Sequence, residues 1–378
     1  MNSFLRKVPA RGLFYFLINY NSFAILSDMK EKPKSDSQKV LYRKYRPLTF
    51  ADVIGQDHIV EVLQTAIKQD NISHAYLLTG SRGTGKTTIA RIIANVLETS
   101  PNDLYEIDAA SNRGIDNIRE LRENVNTLPF DSKYKVYIVD EVHMLTKEAF
   151  NALLKTLEEP PSHVIFILAT TELEKVPETI VSRCQTFVFK KPSIEILKKV
   201  VEGIAKKEGF SIEDEGAELI ALLGDGSFRD TEGTLEKIIS FTQSKKITLE
   251  EIERITGAPR RKLVREYILG ILSVDMQIGM KAVKQIVDQN SDTKLFATLV
   301  LELFRALLLS RVAPDVFEKE MNLNEEDQAF IKDMIGKYKE KITSQTLYRL
   351  LTMYEETRNA FISQLPLELA LIDLVEVQ

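Results

Sequence analysis

The run Gly80-Ser81-Arg82-Gly83-Thr84-Gly85-Lys86-Thr87 constrains this chain more than any other feature. It follows the apolar stretch Ala75-Tyr76-Leu77-Leu78. It precedes Ile89, Ile92, Ile93, Val96 and Leu97, which recur at helical spacing. A glycine-rich turn between a strand and a helix points successive backbone N–H groups, and the helix's positive end, at a polyphosphate. In such a cradle Lys86 reaches the terminal phosphates, Thr87 places a hydroxyl on Mg²⁺, and the binding segment runs on through Thr88. A ligand-free glycine turn is the plain alternative. The complete spacing with a strand before and a helix after favours a nucleoside triphosphate site.

A second motif supplies the chemistry. Val136-Tyr137-Ile138-Val139 reads as a buried strand that delivers Asp140 and Glu141 together at its carboxyl end. Asp140 can hold Mg²⁺ and Glu141 can polarise the attacking water, an inventory that suffices because phosphoryl transfer needs mainly positioning and charge neutralisation. Acidic pairs after strands are often solvated turns. Downstream of the cradle, the pair gains a function.

The apolar runs 75–78, 104–107, 136–139 and 164–169 are short and rich in Val, Ile, Leu or Tyr, as strands buried on both faces are. Helical patterns separate them. One begins at the N-cap Thr146, aligns Phe150, Leu153, Leu154 and Leu157, and stops at Pro160-Pro161. Another runs over 116–126 with Ile118, Leu121 and Val125 aligned. Such alternation predicts a parallel sheet with helices on both faces, which binds ligands beyond the carboxyl ends of its strands.

Two further positions fall at those ends. Thr170-Thr171 closes the 164–169 strand, where a hydroxyl fits either a turn or a bond to the hydrolytic water or γ-phosphate. Ser182-Arg183-Cys184 precedes a strand-like run at 185–189. Arg183 fits either a surface ion pair or a finger aimed at phosphate.

Taken together these residues resemble the AAA+ clamp loaders. Arg43-Lys44-Tyr45-Arg46-Pro47 and Val53-Ile54-Gly55-Gln56 are similar to that family's adenine-side segment. Glu106-Ile107-Asp108-Ala109-Ala110-Ser111, Asp140-Glu141-Val142-His143-Met144-Leu145 and the run from Asn151 to Pro161 resemble the bacterial DNA polymerase III gamma/tau family in particular. The likeness is dense over 40–193 and looser beyond.

The resemblance implies an ATP- and Mg²⁺-dependent motor in a heteropentamer with delta-type and delta-prime-type subunits. Such a complex loads a sliding clamp onto primer–template DNA held by its backbone. It implies ATP binding at Gly80–Thr88 with Val53 and Ile54 on the base side. It further implies catalytic roles for Lys86, Asp140, Glu141 and Thr170, with Arg183 acting in trans and Arg229 as the lid's sensor. DNA contact at Arg113, which opens a helix after Ser111-Asn112, is as consistent with the residues as a solvated arginine. Any polymerase label would belong to the holoenzyme that such a subunit serves.

One departure is visible. The family usually carries a four-cysteine zinc module after the cradle helix, but here Leu97 passes through Glu98-Thr99-Ser100-Pro101-Asn102 to Asp103. The only cysteine is Cys184, so no cysteine zinc site or disulfide framework is expected, and Cys184 reads as a small buried residue. The four histidines are too scattered to propose a metal set.

Beyond Pro192 the pattern is helical. Helices over 194–207, 214–223 and 231–243 suit a lid, and further helices from Pro259 onward suit an oligomerisation collar. The strongly apolar 295–312 segment, interrupted by Glu302 and Arg305, reads as a buried helix rather than a membrane span. The expected domains are a leader or misassigned start over 1–39, an AAA+ ATPase domain over 40–191, a lid over 192–257 and a collar over 258–378. A formal net charge of −5 argues against a protein that coats nucleic acid by bulk positive charge. A cytoplasmic location is expected. Two other classes compete: a branch-migration type of DNA-remodelling motor, and a non-catalytic scaffold subunit, which retention of Lys86 disfavours.

Overall fold

The strands over 75–79, 135–140 and 164–170 bury both faces, whereas the edge strand over 104–108, expected to do the same, leaves Glu106 and Asp108 exposed. β1 (Ala75–Thr79), β2 (Leu104–Asp108), β3 (Lys135–Asp140), β4 (Val164–Thr170) and β5 (Gln185–Val188) form a five-stranded sheet in the order β2-β3-β4-β1-β5. All four pairings are parallel. The computed structural model describes residues 40–112, 114, 121, 123–320 and 325–376. The expected leader, Arg113 and most of the helix expected over 116–126 lie outside them.

Side chains alternate between the two faces of the sheet, as period-2 geometry requires. Leu77, Tyr137, Val139, Phe166 and Leu168 pack with Phe150, Leu153 and Leu157 of the Lys147–Glu158 helix. Tyr76, Leu78, Ile138, Ile165 and Ile167 pack on the opposite face with Ile59 and Leu63 of the Asp57–Lys68 helix and Ile89, Ile92 and Ile93 of the Lys86–Val96 helix. Burying each such side chain contributes roughly 1.5–3 kcal/mol. Thr146 caps its helix by accepting from the Ala149 N–H at 3.2 Å.

Strand order decides where chemistry gathers. β4 lies between β1 and β3, and Thr79 of β1 registers with Thr170 of β4. The cradle after β1 and the acidic pair after β3 therefore flank the carboxyl end of β4.

One hydrophobic core runs through both the expected lid and the expected collar. Helices Ile194–Lys207, Asp214–Leu223 and Phe228–Phe241 share a single hydrophobic core with those from Arg261 to Glu376. Arg261 stitches the two parts together by donating to Glu218 at 3.0 Å and to Asp327 at 2.7 Å. The short helix Leu41–Lys44 also joins this core through Leu41, whose N–H donates to Glu236 at 3.2 Å. The third lid helix begins at Phe228 rather than the expected Thr231, because Ser227 is its N-cap and accepts from the Asp230 N–H. That correction puts Arg229 inside the first turn. Phe296, Val300, Phe304 and Leu307 of the Thr293–Val312 helix are buried in this core. Among the described residues, no helix is long and apolar enough to cross a membrane.

Candidate nucleotide site

Three glycines let the cradle take its shape. Gly80, Gly83 and Gly85 all have positive φ, and Gly85 caps the helix that starts at Lys86. Lys86 is almost fully buried, and its Nζ donates to the carbonyls of Gly80 at 2.8 Å and Ser81 at 2.9 Å. Burial lowers its pKa, while Glu141 and Asp140 oppose that shift.

Thr87 donates its hydroxyl hydrogen to Asp140 Oδ2 at 2.7 Å, although 53 residues separate them. Two hard oxygens thus stand side by side at the cradle's edge, a donor set suited to Mg²⁺. Glu141 follows in a left-handed backbone conformation (φ 50°), and its N–H donates to Asp140 Oδ1 at 3.0 Å. Its carboxylate Oε2 accepts from Thr171 Oγ1 at 3.1 Å. Thr170 is completely buried beside it.

A cleft of about 680 Å³ opens over these groups. Residues Arg82 to Thr88 form its floor, Val53 and Ile54 lie on one wall, and Phe228, Arg229 and Glu232 come from the lid helix. Gly80 and Ser81 do not line the cleft; their carbonyls hold Lys86. Buried Gln56 joins the wall to the floor, its Nε2 donating to Lys190 O at 2.8 Å and Thr84 O at 3.4 Å.

The two arginines singled out in the sequence behave differently. Arg229 lies at the cleft, its guanidinium over the Tyr42 ring at 4.8 Å. Arg183 does not line the cleft. Its guanidinium donates to Glu158 Oε1 at 2.7 Å and to the Thr179 carbonyl at 2.7 Å. Cys184 next to it, expected as a small buried residue, is partly buried, and its thiol is pushed up to about 12 by burial.

Sequence reasoning passed over several residues that share this site. Tyr42 had no distinguishing pattern. Glu232 had one, since it follows Arg229 at i+3 on one helix face. Its carboxyl is pushed up to about 7 by burial, against the pull of Arg46. His143, set aside as an isolated histidine, is buried against Thr170 with Nδ1 3.0 Å from Oγ1.

A parallel sheet with a phosphate cradle after β1, an acidic pair after β3 and an arginine-bearing helical lid defines an AAA+ P-loop protein. The sequence family described as DNA polymerase III, delta subunit, matches residues 55–112 and 98–193. The family described as DNA polymerase III subunits gamma and tau domain III matches 247–378. DNA polymerase III subunit tau of Bacillus subtilis is 37% identical over 342 residues, covering 85% of this chain and 60% of its own length. DNA polymerase III subunit gamma of Buchnera aphidicola is 34% identical over 339 residues, covering 84% and 89%. The chain belongs to the DNA polymerase III gamma/tau family. It spans 38% to 60% of the length of the Bacillus and Mycoplasma relatives. Among solved structures, the Thermotoga maritima RuvB Holliday junction branch migration motor aligns with a TM-score of 0.49 and 21% identity, covering 60% of this chain and 79% of that one.

Proposed function

We propose that this chain is the ATP-hydrolysing motor subunit of a bacterial DNA polymerase III clamp loader, acting in the cytoplasm. In this reading it works in a heteropentamer with delta-type and delta-prime-type subunits and places a sliding clamp on primed DNA during replication. The observation that carries the reading is the 2.7 Å bond between Thr87 and Asp140, which joins the phosphate cradle to the acidic strand. Family membership supports the replication role.

In this mechanism the cradle amides and Lys86 neutralise the phosphates of ATP. Thr87 and Asp140 would hold Mg²⁺, which supplies further charge neutralisation when bound. Glu141, which lines the cleft, polarises the attacking water; Thr170 is completely buried at the end of β4 and does not line the cleft. Arg183 reaches a neighbouring subunit's phosphates, where a guanidinium stabilises transition-state charge. Arg229 reports nucleotide occupancy to the lid. ATP binding then tightens the assembly around an open clamp, and hydrolysis releases the clamp closed on DNA.

The test is ATP turnover by the complex assembled with its partner subunits. Turnover should rise when primed DNA and a sliding clamp are added together, and Lys86→Ala should abolish it. A wild-type assembly without turnover would favour the scaffold reading. Junction migration indifferent to the clamp would favour the remodelling motor.

A further inference from the structure

Arg183 is held at the surface by bonds within its own chain. Its Nη2 donates to Glu158 Oε1 at 2.7 Å, across 25 residues of sequence. Its Nη1 donates to the Thr179 carbonyl at 2.7 Å and to Ser182 Oγ at 3.3 Å. A guanidinium carries five donors in one rigid plane. Nε and the second Nη2 hydrogen therefore have no partner among the described residues, and the side chain is 34% exposed. The group is clamped, yet it keeps donors for an acceptor outside this chain.

Both ends of the Arg183–Glu158 contact rest on one core. Phe150, Leu153 and Leu157 of the Lys147–Glu158 helix are buried in the same cluster as Ile180, three residues before Arg183. Glu158 is the last residue of its helix, and a carboxylate at that negative end opposes the helix dipole. Its placement therefore does nothing for the helix itself. An exposed ion pair also adds little to global stability. What the carboxylate does is restrict an arginine whose free side chain samples many rotamers.

We propose that Glu158 is a positioning residue that pre-orients Arg183 toward the nucleotide of the neighbouring subunit. The inference rests on the reading of Arg183 as a group that acts in trans. With its rotamer freedom already lost before the subunits meet, the guanidinium arrives ordered at the phosphates. A preset donor stabilises transition-state charge without first having to be immobilised. ATP's own cradle is untouched by the pair, since neither Glu158 nor Arg183 lines the cleft.

The test measures ATP Kd, assembly and kcat for Glu158→Ala, Glu158→Gln, Arg183→Ala and the double alanine variant, each in the complex with partner subunits. The Glu158 side chain is 44% exposed, so its truncation leaves the core intact. Glu158→Ala should lower kcat about tenfold, with ATP Kd and assembly within about twofold of wild type. Glu158→Gln keeps an acceptor oxygen at the same reach and should recover most of that loss. The double variant should be no slower than Arg183→Ala alone, because the carboxylate acts only through the guanidinium. Wild-type kcat in Glu158→Ala overturns the inference, and so does faster turnover, which would mean that the carboxylate holds the arginine back. A further loss in the double variant overturns it too, by showing that Glu158 acts elsewhere. If Arg183→Ala itself turns over at the wild-type rate, the trans reading falls and the inference with it; a loss in Arg183→Ala with none in Glu158→Ala sinks the inference alone.

Discussion

The backbone N–H of Phe228 donates to the carbonyl of Gly83 at 2.9 Å, so the lid touches the phosphate cradle directly. Ser227 packs against the same glycine closely enough that a Cβ there would meet its Oγ. The lid's angle and the cradle's shape are thereby mechanically linked, with Arg229 one residue further along the same turn.

Gly83→Ala tests that link. The new methyl would collide with Ser227, and φ of +74° is a strained conformation for alanine, costing about 1–2 kcal/mol. The expected result is an overall fold kept at a lower melting temperature, with nucleotide affinity reduced as the lid is displaced. Isothermal titration with ATP checks it; unchanged affinity would mean that the contact is incidental.

Asp140→Asn removes the charge opposite Thr87 but keeps the side chain's size. Turnover in the assembled complex should fall by about two orders of magnitude. The Mg²⁺ concentration needed for half-maximal turnover should rise. A normal Mg²⁺ dependence would remove Asp140 from the metal site.

Arg183→Ala leaves the cleft of its own chain intact, because the guanidinium contacts Glu158 and Thr179 rather than the cradle. ATP affinity of the isolated chain should be unchanged, while turnover in the assembly should drop by about 10³. Loss of affinity in the isolated chain would contradict a role across the subunit boundary.

Glu232 should make stability depend on pH. Its folded carboxyl is pushed up to about 7 by burial, above an unfolded value of about 4.3. The stability tied to its neutral form is complete below pH about 4.3 and is lost as pH rises through about 7, on the order of 3 kcal/mol in all. Glu232→Gln should melt higher than wild type at pH 8, by a margin that shrinks toward pH 5. Parallel melting curves at the two pH values would falsify this assignment.

Local pattern made much of the fold legible. The strands at 75, 136 and 164 carry continuous apolar runs, the run at 104 is broken by the exposed Glu106, and Thr146 and Pro160 mark the ends of the helix between the last two. The third lid helix was misplaced by three residues because the apolar periodicity begins after Arg229. Ser227, whose capping role depends on a single hydroxyl, sets the start. At the site, the cradle and the acidic pair were readable because each motif is contiguous.

What the sequence determined by itself was the nucleotide cradle, the acidic pair and the parallel α/β class. Each of these follows from residue spacing along the backbone, and spacing survives without knowledge of the fold. Tertiary structure alone decided that His143 meets Thr170, that Arg229 rests on Tyr42 and that Ser227 closes on Gly83. These partners lie 27 to 187 residues apart, and strand order and lid packing bring them together. Short-range periodicity holds no record of such distances, because packing free energy is shared across a whole core rather than assigned to any one segment.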